Sequence, residues 1–252
     1  MTLSRFRAAP RVGHLDRVKR IYGYLRKMLY GVIKVRTEEP DYSDLVTPEY
    51  DWAYSCYRGA KEEIPVDAPT PRGKFVRTTS YVDANLHHDL VSGRSVTGIL
   101  HMLNGTPVDW YSKLQSTVET ATFGSEYVAA RTCTEQIIAL RLYLRYLGVP
   151  IRERSMMFGD NESVVNTASA PHSKLSKRHV ALSYHRTREA IAAGITSFLH
   201  IPGKANPSDI LSKHWDMPSV WNVLQPLMFY IDPKAEGVDD TKVKKEETPK
   251  ES

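Results

Sequence analysis

Four acidic residues stand where a folding chain gathers ligands. Asp160 follows the apolar run Met156, Met157, Phe158 in "MMFGDNES", so a short buried strand would end on a carboxylate. Ligands and metals usually sit at that edge of an α/β sheet. Asp83 closes the strand-like "SYVDA", Glu126 heads a helical stripe, and Asp209 lies three residues after Asn206 in "NPSDILSK". Carboxylates are the hard oxygen donors that a hard divalent cation takes. Each also has a plainer use. Asp160 or Asn161 can cap a short helix from Ser163 to Ala168, and Asp83 can serve a turn over Asn85 to Asp89. Glu126 can complement a helix dipole, and Asn206 with Asp209 resembles a capping box. The plain uses do not explain why four carboxylates fall at strand ends and helix starts in an order that a mixed sheet can fold onto one site.

The elements that must position them follow from periodicity. Glu126, Ala130, Cys133, Ile137, Leu140, Leu144 and Leu147 recur at spacings of four and three, which predicts a long helix from about Glu119 to Leu147 with these residues on one stripe. Glu126 then heads the face that packs on the sheet, where a carboxylate is costly unless satisfied; the other reading starts the stripe at Ala130. Three strands are predicted at "FVRTTSYVDA", "RSVTGILHML" and "TPVDWYS", the last two joined by the hairpin signal "NGT". After the helix come a strand at 154–159, a short helix, a basic helical stretch from about Ser176 to Ala193, the strand "ITSFLHI" and a helix opened by Asn206 and Pro207. Antiparallel strands, a helix, then alternating strands and helices make a mixed α/β sheet.

At 252 residues, with 41% hydrophobic and 25% charged residues, the chain can bury a real core. No apolar run approaches the roughly 20 residues of a membrane span, and "MTLSRFRAAPR" lacks the apolar stretch of a secretory signal. We expect no membrane partner and an intracellular protein. Cys56 and Cys133 offer neither a disulfide framework nor zinc spacing, and the pair His87-His88 with Asp89 lacks spaced partners for zinc. The net charge is +5 and the pI about 9.1, which suits a polyanionic partner. Residues 232–252 hold seven acids and five bases, a net of −2 that leaves +7 on the rest, and should be a disordered charged tail. The tail's "GVDD" has no apolar strand leading into it. Residues 11–29 form an amphipathic helix with a basic opposite face, and 31–74, broken by five prolines, reads as a linker or irregular insertion. The expected domains are 1–30, the linker 31–74, the main domain 75–231 and the tail.

From Thr79 to Lys213, over half the chain, the blocks "SYVDAN", "GRSVTGIL", "GTPVDWYSKLQSTVETATFGSEYVAA", "FGDNESV", "SKRHVALSYHRTRE" and "HIPGKANPSDILSK" resemble the ribonuclease H domain of copia-type long-terminal-repeat retrotransposons, in the same order. The opening "LSRFRAAPRVGHLDRVKRIYGYLRK" resembles the end of the reverse transcriptase of such polyproteins. The resemblance implies an α/β fold of ribonuclease H type, a mixed five-stranded sheet with an antiparallel meander, then parallel strands, and helices on both faces. It lays the catalytic and metal-binding carboxylates on Asp83, Glu126, Asp160 and Asp209. It also implies hydrolysis of the RNA strand of RNA–DNA hybrids during reverse transcription, with two Mg²⁺ ions, which Mn²⁺ could replace. Two ions about 4 Å apart can activate water and stabilise the leaving oxygen.

By the same resemblance Asp160, beside Asp83, would be the carboxylate that bridges both ions, Glu126 would complete the one near the leaving oxygen and Asp209 the one that activates water. The loop "PGKANP" carries Lys204 but no histidine for product release, and His200 before it reads as structural. The partners implied are the hybrid and the upstream reverse transcriptase, in the cytoplasm or within virus-like particles. Lys174, Lys177, Arg178, Arg186 and Arg188 make either a phosphate-gripping stretch or a solvated basic face. Asn161 and Ser125 either reach ribose hydroxyls or cap helices. The alternative function is a catalytically inactive remnant that binds nucleic acid or packs on a polymerase.

Overall fold

The computed structural model describes residues 3, 6–29, 31–175 and 177–228. The charged tail with its "GVDD", residues 229–231 of the expected main domain, and Ser176 at the start of the basic stretch lie outside the described residues.

Five strands form one sheet: β1 Thr78–Asp89, β2 Arg94–Leu103, β3 Thr106–Leu114, β4 Ser155–Gly159 and β5 Thr196–His200. Their order is β3-β2-β1-β4-β5. The β1–β2 and β2–β3 pairs are antiparallel, whereas β4 runs parallel to both β1 and β5. This is the mixed sheet expected, a meander followed by parallel strands. The turn between β2 and β3 is the two-residue loop Asn104-Gly105, both with positive φ, 49° and 73°. Asn-Gly is the pair that such a hairpin turn demands.

Three helices cover one face. The long α2 (Thr122–Tyr146) packs Tyr127, Ala130, Cys133 and Ile137 against Val82, Ala84, Ile99 and Met157, and Val164 of α3 (Glu162–Ser169) with Tyr184 and Ile191 of α4 (Ala181–Ala192) completes that core. The stripe read from the sequence is therefore buried from Glu126 to Leu144, with Leu140 half-buried, and only its last member leaves it, Leu147 being 75% exposed. Strand alternation turns Tyr81, Met156, Phe158 and Leu199 to the opposite face. There the four-residue α5 (Asp209–Ser212) lies over β2: a Cβ on Gly98 would meet the Ser208 carbonyl oxygen at 2.7 Å and the Ser212 nitrogen at 2.9 Å. The final helix α6 (Met217–Met228) and the first, α1 (Val12–Lys27), bury none of their residues.

Residues 31–74 form no helix or ladder strand among the described residues, yet they lie against the domain. The Tyr42 hydroxyl and that of Thr79 share a hydrogen bond of 3.0 Å, and the Tyr42 ring meets Phe158 edge-on. Glu39 pairs with Arg152 at 3.0 Å, and Glu62 with Arg141 and Arg145 at 2.8 and 2.7 Å. Trp52 packs on the helical core.

Two sequence expectations need correcting here. Asn85 to Asp89 do not turn the chain after Asp83; β1 continues through them to Asp89, with one register shift and His87 at φ 52°. The last helix is not opened by Asn206 and Pro207. Asn206 is buried, accepts from the Ser208 amide and hydroxyl, and donates to the Val82 carbonyl, tying the loop to β1 before α5 begins at Asp209.

Candidate metal centre

Each acidic side chain is delivered by an element whose local reason is plain. Asp83 sits in β1 opposite Gly98 of β2 and is 1% exposed. Glu126 lies just past the first turn of α2, 7% exposed, and its carboxylate accepts from the Ala84 amide. Asp160 is the residue that β4 carries past the sheet edge. Ligand oxygens of Asp83, Glu126 and Asp160 lie within 4.8 Å of one another. They open into a cleft of about 510 Å³ that is also lined by Asn85, Asn161 and Lys213.

The electrostatics follow from this crowding. Burial, then the charges of Asp83 and Asp160, raise the Glu126 carboxyl well above its ordinary range. Burial and Asp83 raise that of Asp160. Three hard oxygen donors this close, two of them holding protons more tightly than usual, fit a divalent cation that would relieve their repulsion.

Asp209 is not one of the three convergent groups. Its Oδ1 accepts from Lys213 Nζ at 2.8 Å, and the same ammonium reaches Asp83 Oδ1 at 3.2 Å. Burial lifts the Asp209 carboxyl to about 6, against the pull of the Lys213 hydrogen bond. The other oxygen of Asp83 accepts from the Ser212 hydroxyl. Sequence reasoning missed Ser212 and Lys213, although "DILSK" places them three and four residues after Asp209, one helical turn on.

The expected nucleic-acid contacts divide. Lys174 and Arg178 are exposed, and Lys177 is half-buried with its ammonium 5.4 Å from the Phe123 ring, beside the start of α2. Arg186 pairs with Glu189 at 2.8 Å. Arg188 is turned the other way. It is 2% exposed, donates to the carbonyls of Thr167, Ala170 and Pro171 at 2.6 to 2.8 Å, and stacks among Trp52, Tyr57 and Tyr184. It is committed to packing and cannot grip a phosphate. Ser125 is fully buried and donates to the Thr122 carbonyl, so it does not reach a ligand either. Asn161 caps α3 by accepting from the Val164 amide at 3.2 Å and also lines the cleft. His200 donates to the Asp160 carbonyl at 3.2 Å, a structural contact.

Sheet order and strand senses are those of the mixed five-stranded α/β fold that the sequence resemblance implied, and the acidic cluster lies at the edge of its central strands. Over 133 residues, 53% of its length, the chain is 30% identical to the retrovirus-related Pol polyprotein from transposon TNT 1-94 of Nicotiana tabacum. Over 144 residues, 56% of its length, it is 24% identical to that from transposon RE2 of Arabidopsis thaliana. The match spans 10% of either relative, so the chain covers about a tenth of the curated proteins it resembles. A solved structure of LC11-RNase H1 in complex with RNA/DNA hybrid is similar at a TM-score of 0.44 and 16% identity, over 54% of this chain and 94% of that one. No protein-family model matches the chain. These two relatives are retrovirus-related Pol polyproteins of plant transposons, in agreement with the resemblance to a copia-type polyprotein.

Proposed function

We propose that the chain hydrolyses the RNA strand of RNA–DNA hybrids as the ribonuclease H part of a retrotransposon's reverse-transcription machinery. The observation that carries this is the convergence of Asp83, Glu126 and Asp160 at the sheet edge, in an open cleft that Lys213 also lines. These three residues would hold Mg²⁺, which when bound supplies a Lewis acid and lowers the pKa of water. Asp209 is the fourth carboxylate of the proposed site, joined to Asp83 through Lys213.

The chain's own groups do the positioning. Ser212 and the Ala84 amide fix the orientations of Asp83 and Glu126. Gly203 lets the loop after β5 approach Asp160, since a Cβ there would stand 3.1 Å from Asp160 Oδ2. Lys177, whose ammonium stands by Phe123 at the N-terminal turn of α2, and the exposed Lys174 and Arg178 near it in sequence would draw the phosphate backbone toward the cleft. Asn161 faces the cleft and is the side chain placed to meet a ribose hydroxyl.

The test is substrate choice by the purified chain in Mg²⁺, with each strand labelled in turn. The RNA strand of a hybrid should be cut while its DNA strand, single-stranded RNA and duplex DNA survive. Equal cleavage of all four, or cleavage that persists in chelator, would refute the proposal.

A further inference from the structure

Asp83 and Asp209 face each other across a single cation, and that cation belongs to the protein. Lys213 Nζ lies 2.8 Å from Asp209 Oδ1 and 3.2 Å from Asp83 Oδ1, both direct charge-assisted hydrogen bonds. A Mg²⁺ ion between the same two carboxylates would need their oxygens at about 2.1 Å and room for its retained waters. The ammonium and the ion therefore compete for one gap. Asp83 is further constrained because its other oxygen is held by Ser212. The backbone that carries Lys213 is pinned as well: its amide donates to the Asp209 carbonyl at 3.0 Å, and Trp215 Nε1 donates to the same oxygen at 3.1 Å. The Leu211 carbonyl accepts from the Ser112 hydroxyl. The side chain itself lies at the cleft wall and is one-third exposed. The ion pairs of Lys213 are with Asp83 and Asp209; among the described residues it makes none with Glu126 or Asp160.

From this geometry we propose that Lys213 is a built-in cation that limits the substrate-free cleft to one firmly held divalent ion, at Asp83, Glu126 and Asp160, by filling the gap to Asp209. Lys213 is a positioning residue on this account. It holds two carboxylates in place without a second metal, and any second ion must displace it. The inference rests on the metal-centre reading above and refines it, since the resemblance implies two ions and the chain supplies one of the two positive charges itself.

Calorimetric titration of Mn²⁺ into the full chain, without nucleic acid, tests it by counting ions. The wild type should bind one ion firmly. Lys213→Ala and Lys213→Gln, each checked for an unchanged melting profile, should bind two, the second at least about tenfold tighter than any second event in the wild type. Electron paramagnetic resonance should then show coupled Mn²⁺ pairs in the variants alone. Identical stoichiometry and affinities in wild type and both variants would overturn the role of Lys213 while leaving the metal centre standing. No binding in any of the three chains would overturn the metal centre, and this inference with it.

Discussion

Glu126 carries the electrostatic strain of the site. Its carboxyl is raised by burial first and by Asp83 and Asp160 second, Asp160 is raised for similar reasons, and Asp209 is lifted to about 6. A folded state with raised carboxyl pKa values keeps protons that the unfolded chain releases. These carboxyls should therefore cost the metal-free protein stability as the pH rises from ordinary carboxylate values through 6 and on toward neutrality, while His88 and His101, whose pKa values burial lowers, act in the opposite sense. Thermal melts in chelator of the wild type and Glu126→Gln between pH 4.5 and 8 isolate the carboxyl part: the variant should gain on the wild type as the pH rises, and a constant difference would contradict it. Glu126→Gln removes the buried charge and should stabilise the metal-free protein at pH 7 by on the order of 1 kcal/mol, about 2–4 °C in Tm, while weakening metal binding.

The sequence exposed these carboxylates because strand ends and helix starts are visible as changes of pattern. It hid Lys213, since a lysine four residues after an aspartate is the ordinary surface pair of a helix. It also hid the true place of Arg188, although four residues after Tyr184 and three before Ile191 puts that guanidinium on the apolar stripe of α4.

At the scale of elements, two contacts decide how the site is held. The first is α5 on β2. Because the obstruction at Gly98 is backbone rather than a flexible side chain, Gly98→Ala must push α5 off the sheet, and Asp209 and Lys213 with it. We expect hybrid cleavage to fall about 10²-fold, the scale set by misplacement of about 1 Å, with the Asp83, Glu126 and Asp160 cluster still binding an ion; unchanged cleavage would show that α5 does not position the site. The second is Arg188, whose guanidinium ties the end of α3 and the loop after it to the aromatic side chains of 31–74. Arg188→Met leaves several carbonyls unpaired and should cost about 3 kcal/mol in urea unfolding, with the salt dependence of hybrid binding untouched. Periodicity fixed the long elements to within a few residues. The path of 31–74 was illegible, because single anchors such as Tyr42, Trp52 and Glu62 carry no period.

For the whole molecule, the described chain leaves apolar side chains at its N-terminal end in solvent, with Leu15, Ile21 and Leu25 of α1 and Leu29 just beyond it each at least half exposed. The resemblance of this stretch to the end of a reverse transcriptase makes a polymerase the partner proposed for that stripe. No helix among the described residues is long and apolar enough to cross a membrane. Replacing Lys174, Lys177 and Arg178 together by alanine should flatten the dependence of hybrid affinity on log salt by about 2 to 3 units, roughly one per lost phosphate contact, without moving Tm; an unchanged slope would remove these residues from the interface.

The most direct test of the account is cleavage of a labelled RNA–DNA hybrid by the wild type and by Asp160→Asn, each in Mg²⁺ and in Ca²⁺. The wild type should cut the RNA strand in Mg²⁺, and the variant should be slower by about 10³-fold, or ~4 kcal/mol of transition-state stabilisation, while still binding the hybrid. Wild-type rates from Asp160→Asn would contradict the account, as would cleavage that proceeds as well in Ca²⁺ as in Mg²⁺.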